Sequence, residues 1–393
     1  MSESVTLIYS DDYQGYRFSP WHPMKPVRLL LTAELIRAYG IDRLPNCGFT
    51  GPRPASDEEL ELIHDPVYIG KVRELSEPGA EESSGWSWGL GTGDNPVFPR
   101  MHESSALIAG GALTAAEKIM SGELDHAFHV AGGLHHAQRA RASGFCIYND
   151  VAIAIAWLRQ QGIRVVYIDI DAHHGDGVQN AFYGDSEVMT ISFHESGRSL
   201  FPGTGYTGDI GEGRARGTSI NLPLAPHTGD DLFLKAFDEL VPPLTRAFRP
   251  DVVVTQNGCD GHFDDPLTHL SLTLEGYAKI WARMHDLSHE VTAGRWLASG
   301  GGGYQAFTVV PCAWTLLMAE LAGTRLAEEI PESWRELCER HSGAQAPRFL
   351  TRESPPPPGP GAHEIARQAV EDGTAEIKSK IFPLMGAAEK QGP

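Results

Sequence analysis

Short apolar runs rich in β-branched residues alternate along this chain with longer stretches whose apolar positions recur at helical spacing. Residues 163–168 (IRVVYI) form an almost unbroken apolar run, the pattern of a strand buried on both faces. Residues 127–130, 188–193, 252–255 and 296–298 repeat the theme at shorter length. Between them, residues 151–160 read as a helix that Asn149 or Asp150 caps and Gly162 stops. A longer helix is predicted over 274–291, after Thr273. Strand, helix and strand in succession predict an α/β fold: a single domain with a mostly parallel, doubly wound central sheet and helices on both faces.

Residues 76–93 (SEPGAEESSGWSWGLGTG) read as a long surface loop. The run Pro355-Pro356-Pro357-Pro358-Gly359-Pro360 should be extended. The compact domain is therefore expected to span 1–350, with 351–393 a proline-rich linker and tail. Within that tail, 363–380 has helical spacing, which suits either an appended helix that docks back or a mobile one.

Polar residues are spread unevenly over this framework. His135 and His136, the segment 169–176, His194, Asp260 and Tyr304 each follow directly after an apolar run. In open α/β sheets ligands bind beyond the carboxyl ends of the strands, so these loops should converge on one crevice. The densest segment, Asp169-Ile170-Asp171-Ala172-His173-His174-Gly175-Asp176, holds three carboxylates and two imidazoles. In an extended segment Asp171 and His173 project to the same side and can chelate one cation, which would compensate the burial of carboxylates. The plainer reading is a solvated acidic turn, but such a turn does not require this density of ligands.

A third donor must come from elsewhere. Asp260 is the candidate, although such an aspartate taken alone is more often a helix cap or turn residue. An Asp-His-Asp set with one open position is a catalytic rather than a closed metal site. It suits zinc, with iron(II), cobalt or manganese fitting nearly as well. The adjacent pair His135 and His136 leaves Asp169 and Asp176 to orient one imidazole each through Nδ1, with Nε2 turned to the reaction. That combination is a metal-activated hydrolase with paired Asp-His acid/base groups. The run Ser299-Gly300-Gly301-Gly302-Gly303-Tyr304 has the glycine content of a phosphate loop but no Lys-Ser/Thr after it. Its glycines instead permit close backbone approach and aim the Tyr304 hydroxyl at the crevice, where a phenol can stabilise an oxyanion.

Composition changes this picture only at its edges. A content of 41% hydrophobic and 21% charged residues is ordinary for a soluble globular protein. With 32 basic and 51 acidic residues the net charge is −19, which argues against direct nucleic-acid or membrane partners and favours cationic, lysine-rich ones. The five cysteines (Cys47, Cys146, Cys259, Cys312, Cys338) are scattered and form no C-x-x-C pair, so neither a disulfide framework nor a thiolate zinc site is expected. The first residues lack the pattern of a secretory signal, and no apolar run approaches the roughly 18 residues of a membrane span. A reducing cytoplasm is the expected location.

Together these segments resemble the histone deacetylase family, more closely its bacterial acetoin-utilisation branch, within the arginase/deacetylase fold. The likeness runs from about His22 to Leu321. It rests on His22-Pro23-Met24-Lys25-Pro26-Val27-Arg28, Gly93-Asp94-Asn95-Pro96-Val97-Phe98, Gly133-Leu134-His135-His136, Gly144-Phe145, the segment 169–177, Phe201-Pro202-Gly203-Thr204-Gly205 and Gly300 to Tyr304. The resemblance implies that Asp171, His173 and Asp260 bind zinc, iron(II) being the alternative. It makes His136 the general base and later acid, with His135 its electrostatic partner. Asp169 then supports His135, Asp176 supports His136, and Tyr304 polarises the scissile carbonyl.

Further implied roles concern the substrate and monovalent ions. Gly144, Phe145 and Phe201 match the walls of a narrow tunnel for an acyl-lysine. Asp94 matches a rim aspartate that holds the substrate backbone, and Arg28 an arginine near the internal cavity through which acetate leaves. Structural potassium is implied beside the metal at Asp169, Asp171, Ser192 and the carbonyls around His173 and Phe193. A second potassium site would use Phe182, Asp185, Val188 and Thr218. One departure is Cys259, which precedes Asp260 where eukaryotic members have Gly-Ala-Asp; it bears on loop geometry and substrate preference and leaves the ligand in place. The proline-rich tail has no counterpart among these motifs.

The activity implied is metal-activated attack of water on an acyl-lysine of a protein or peptide, releasing acetate. An acetylpolyamine amidohydrolase shares that chemistry, but commonly has a long insertion narrowing its entrance that is not obvious here. Arginase-like ureohydrolysis uses two manganese ions and a fuller Asp/His set. A catalytically silent acyl-lysine-binding scaffold should have lost Tyr304 or a metal ligand, and every position is intact.

Overall fold

The structure is a computed structural model and describes residues 3–357 and 359–387. Pro358 of the proline run and 388–393 of the tail lie outside the described residues. Eight strands form one sheet: β1 (Val5–Ile8), β2 (Cys47–Thr50), β3 (His126–His129), β4 (Val165–Asp169), β5 (Val188–Glu195), β6 (Ser219–Leu224), β7 (Val252–Gln256) and β8 (Trp296–Ser299). Their order is β2-β1-β3-β8-β7-β4-β5-β6, and every pairing is parallel.

Alternate residues of the central strands β4 and β7 enter two different cores. Val165, Tyr167, Val252 and Val254 pack with Val151, Ile155 and Leu158 of helix Asp150–Gln160 and with Ala112, Ala116 and Ile119 of helix Met101–Met120. Val166, Ile168 and Val253 belong to the core on the other face. Helices Val27–Tyr39, Asp230–Phe248, Leu274–Thr292 and Val309–Leu321 contribute to that core. Because both faces are covered, these strands are apolar throughout, which is why the sequence shows runs rather than alternation.

The helix expected over 151–160 begins at Asp150, and Asn149 is its cap: Asn149 Oδ1 accepts from Ala152 N at 2.9 Å. Thr273 caps Leu274–Thr292 in the same way, accepting from Gly276 N at 3.1 Å. The run 163–168 contributes β4 only from Val165, since Arg164 N is taken by the Asp251 carboxylate at 2.8 Å. Residues 76–93 depart from an open loop: Glu82–Trp88 is a 3₁₀ helix with Gly85 buried, and Leu90 is buried just after it. Strands β1, β2 and β6 had no expectation attached, being short or, in β6, carrying Pro223.

Helix Ala362–Met385 docks across helix Asp230–Phe248 and the edge strand β6, burying Ala366, Val370, Ile377, Ile381 and Phe382. Each of the larger side chains contributes roughly 1.5–3 kcal/mol by leaving water. The docking also covers a sheet edge that would otherwise present unpaired backbone groups. Among the described residues no helix is long and apolar enough to cross a membrane.

The topology gathers the chemistry. Strands β3, β8, β7 and β4 stand side by side at the centre of the sheet. The segments leaving their carboxyl ends carry His135 and His136, Gly300 to Tyr304, Asn257 to Asp260, and Asp171 to Asp176. Neighbouring strands lie about 4.8 Å apart, so four segments remote in sequence meet within about 15 Å.

Candidate active site

Asp169 closes β4 and is fully buried. Its Oδ2 accepts from His135 Nδ1 at 2.9 Å and from the Tyr167 hydroxyl at 2.7 Å, and its Oδ1 from Asp171 N at 3.1 Å. Asp171 Oδ2 accepts from Gly302 N at 2.6 Å and Gln256 Nε2 at 3.2 Å. Asp260 Oδ1 accepts from Ala172 N at 2.8 Å. The ring nitrogen His173 Nδ1 lies 3.2 Å from Asp171 Oδ1 and 2.8 Å from Asp260 Oδ2.

These three buried residues each offer one donor atom within 4.8 Å of the others. Two glycines make the approach possible: a Cβ on Gly258 would fall 2.1 Å from Asp171 Oδ2, and one on Gly302 2.0 Å from Asp260 Oδ2. Burial and the charge of Asp171 push the Asp260 carboxyl up to about 6, since two carboxylates so close resist ionising together. A divalent cation relieves that conflict, and two carboxylate oxygens with one imidazole nitrogen fit zinc or iron(II).

Beside this cluster, His136 Nδ1 lies 2.7 Å from Asp176 Oδ1, and Asp176 Oδ2 accepts from Gln138 Nε2 at 2.9 Å. The Nε2 atoms of His135 and His136 are 3.1 Å apart, so the two share at most one proton along that line. Burial and the charge of His135 push His136 down to about 4. Burial works against charging His135 too, but Asp169 and Asp171 outweigh it and hold it up to about 9. The two imidazoles are thereby set apart in basicity, His136 favouring the neutral form and His135 the harder of the two to deprotonate.

The turn that delivers the pair hangs on Asp150, whose carboxylate accepts from Gly133 N at 3.1 Å and Leu134 N at 2.8 Å. Nearby, His64 donates from Nδ1 to Gln138 O (3.1 Å) and accepts at Nε2 from Asn149 N (2.9 Å). Burial lowers His64 to about 4 from 6.5. A depressed imidazole stabilises the fold fully above the unfolded value of 6.5. That contribution, up to about 3 kcal/mol, is lost as pH falls from 6.5 to 4. Asp150, raised by burial to about 6, takes up a proton in the fold over most of the same window and offsets most of the His64 loss, but His129, also lowered to about 4 by burial, adds a second loss of the same sign. The urea midpoint is therefore expected to fall between pH 7 and 4, with His64→Gln flattening the fall. An unchanged slope in His64→Gln would remove His64 from the account.

Tyr304 is held by its backbone: Tyr304 N donates to Asp265 Oδ2 at 2.8 Å, and Leu267 N to Asp265 Oδ1 at 3.0 Å. Its ring stands 6.4 Å from that of His173 and 5.8 Å from Phe145. Burial raises the phenol well above its usual value, so it remains a donor. Gly144 and Phe145 both have positive φ, 51° and 67°, and a Cβ on Gly144 would fall 2.5 Å from the His136 ring. The Phe201 ring, 42% exposed, lies 5.0 Å from His136. Phe145 and Phe201 thus flank the donor cluster with apolar surface.

Asp94 is exposed; its carbonyl accepts from His22 Nε2 at 3.3 Å, and the His22 ring packs 4.5 Å from Phe145. Arg28 is buried, donates from Nη1 to Gly303 O at 2.8 Å and lies over Trp314. With Tyr13, Tyr16, Met24 and Leu134 it lines a small internal cavity. Ser192 pairs in register with Asp169, beside Phe193, and its Oγ lies 2.8 Å from His194 Nδ1. Phe182, Asp185 and Val188 form the turn into β5. Thr218 O accepts from Thr190 N of β5 at 2.8 Å. The Asp185 carboxylate is engaged by Arg159 Nε (3.0 Å) and Glu187 N (2.8 Å).

Sequence reasoning missed Tyr167, Asp150, Gln256 and Asp265. Tyr167 had a signal, since it alternates with Asp169 on one strand face, and Gln256 had one as the polar end of an apolar strand. Asp150 and Asp265 had none beyond their residue type.

Fold and site define a class first: an all-parallel α/β hydrolase with an Asp-His-Asp donor cluster beside two carboxylate-supported histidines. The histone deacetylase domain matches residues 22–321. The acetoin utilization protein AcuC of Bacillus subtilis (strain 168) is 47% identical over 335 residues, 85% of this chain and 86% of that protein. That of Staphylococcus xylosus is 41% identical over 336 residues, 85% and 87% of the two chains. Two crystal structures are also similar. An HDAC homolog complexed with SAHA has a TM-score of 0.84 at 30% identity, covering 96% of this chain and 100% of the other. An HDAC homolog from Aquifex aeolicus has a TM-score of 0.82 at 31% identity with the same coverage. The chain belongs to the histone deacetylase family.

Proposed function

We propose that this protein removes acetyl and related acyl groups from lysine side chains of proteins or peptides, releasing the carboxylate and the free amine. The observation that carries the proposal is the His135–His136 pair, each imidazole backed by its own aspartate, opening onto the Asp171–His173–Asp260 cluster between two phenyl rings. A zinc or iron(II) ion held by those three residues would supply Lewis acidity toward the acyl carbonyl and the attacking water.

The chain's own groups do the rest. His136, neutral and steadied by Asp176, takes a proton from water as the water oxygen bonds to the carbonyl carbon. The Tyr304 hydroxyl donates to the carbonyl oxygen where negative charge gathers, and His135, held by Asp169, is the electrostatic partner of His136. His136 then passes its proton to the amine nitrogen as the C–N bond breaks. Phe145 and Phe201 flank the methylenes of the acyl-lysine, with Gly144 leaving room for them. Asp94 accepts from the substrate backbone, and the cavity at Arg28 takes up acetate.

A rim carboxylate and a net charge of −19 both favour a lysine-bearing polypeptide as substrate. Potassium ions at Asp169–Ser192 and Asp185–Thr218 would be structural, and five free cysteines accord with a reducing cytoplasm.

The test is turnover of a fluorogenic acetyl-lysine peptide by zinc- or iron(II)-reconstituted protein, beside acetylputrescine and a chelated control. Chelator-sensitive cleavage of the peptide is the expected result. Cleavage of acetylputrescine alone would replace this reading with a polyamine amidohydrolase, and inactivity on both would overturn the acetyl-lysine assignment.

A further inference from the structure

A second set of donors lies at the opposite end of the sheet from the crevice. His126 opens β3 and is fully buried, and Glu3 lies just before β1. His285 and His289, four residues apart, share one face of helix Leu274–Thr292. His285 Nε2 is 3.2 Å from His126 Nε2 and 3.2 Å from Glu3 Oε2. His126 Nε2 is 3.3 Å from the same Oε2, and His289 Nε2 is 3.0 Å from Glu3 Oε1. One donor atom from each of the four residues lies within 4.8 Å of all the others.

We propose that Glu3, His126, His285 and His289 form a structural site for a divalent transition metal, zinc first, separate from the catalytic cluster. Four ligands placed tetrahedrally about 2.0–2.1 Å from zinc stand about 3.3 Å from one another. His126 Nε2, His285 Nε2 and Glu3 Oε2 form a triangle with sides of 3.2–3.3 Å, close to that edge length, and His289 Nε2 stands 3.0 Å from the other oxygen of the same carboxylate.

Hydrogen bonding alone satisfies the cluster poorly. The Nε2 atoms of His126 and His285 face each other and the same carboxylate oxygen, and a proton on one leaves the other without a donor for that carboxylate. One cation would take both Nε2 lone pairs and the carboxylate together, while the buried His126 Nδ1 keeps no partner among the described residues. His285 Nδ1 donates to Glu320 Oε1 at 3.0 Å, the carboxylate support that metal-ligating histidines commonly have, and with a metal bound the neutral ring would turn its Nε2 lone pair into the cluster. Gly294 gives the His289 ring its room, since a Cβ there would fall 2.8 Å from His289 Cε1. Three imidazoles and one carboxylate select zinc and its transition-metal neighbours over magnesium or calcium. The ion would clip the segment before β1 to β3 and to a helix some 280 residues away in sequence.

The experiment counts metal in the tag-free full chain, stripped with chelator, reloaded with zinc and desalted. Wild type is expected to hold two equivalents, and His289→Ala or Glu3→Gln one. Turnover of the acetyl-lysine peptide should stay within about twofold, and zinc should no longer raise the melting temperature through this site. Asp171→Ala should keep one equivalent, which His289→Ala then removes, so the two metal assignments fail independently. A single equivalent in wild type that Asp171→Ala abolishes, or two equivalents unaffected by both His289→Ala and Glu3→Gln, would overturn the proposal.

Discussion

Asp171→Ala is expected to empty the catalytic cluster of metal and to lower peptide turnover roughly 10³-fold or more, since Lewis-acid stabilisation supplies several kcal/mol. The reasoning starts from the donors. Asp171 is one of three residues whose atoms converge, and removing it leaves an imidazole and one carboxylate, too few for tight binding. The variant also strips Gly302 N and Gln256 Nε2 of their acceptor, which costs about 1–3 kcal/mol for each group left unsatisfied. Relief of the repulsion that lifts Asp260 offsets part of this. Metal content, melting temperature and turnover measured on one preparation separate the effects. Full turnover in a folded variant would remove Asp171 from the site.

His136→Ala is expected to lower kcat by about 10²–10⁴-fold while metal content stays that of wild type. His136 serves twice, taking the proton from water and returning it to the amine, so both steps suffer. Its position, Nδ1 on Asp176 and Nε2 beside His135, suits it to that work. The acid limb gives a second readout. A base pushed down to about 4 stays neutral across the neutral range, so wild-type activity should fall as pH drops toward that value. Residual activity in His136→Ala should lack that limb. A variant with wild-type kcat would transfer the acid/base role elsewhere.

Much of the site was legible because strand-terminal position and residue type coincide. His135, His136, Asp171, His173, Asp260 and Tyr304 each follow an apolar run, and the structure brings all six to one crevice. Asp150 and Asp265 were not legible. Each acts by accepting backbone N–H groups from a segment remote in sequence, Gly133–Leu134 in one case and Tyr304 in the other. No local pattern announces such a bond. The helical spacing near 363–380 foretold a helix, while its docking on β6 depended on an edge the sequence had not revealed.

What the sequence by itself determined is the strands β3, β4, β5, β7 and β8, the α/β class and the donors at the strands' carboxyl ends, because hydrophobic period and ligand chemistry are local properties of the chain. What only the tertiary structure decided is adjacency. Placing β8 between β3 and β7 sets the tyrosine loop beside the histidine pair, and packing helix Leu274–Thr292 against the start of β3 assembles a second donor cluster from residues 3, 126, 285 and 289. Strand order and helix docking follow from how the whole apolar surface is buried at once, a global balance that no single segment encodes.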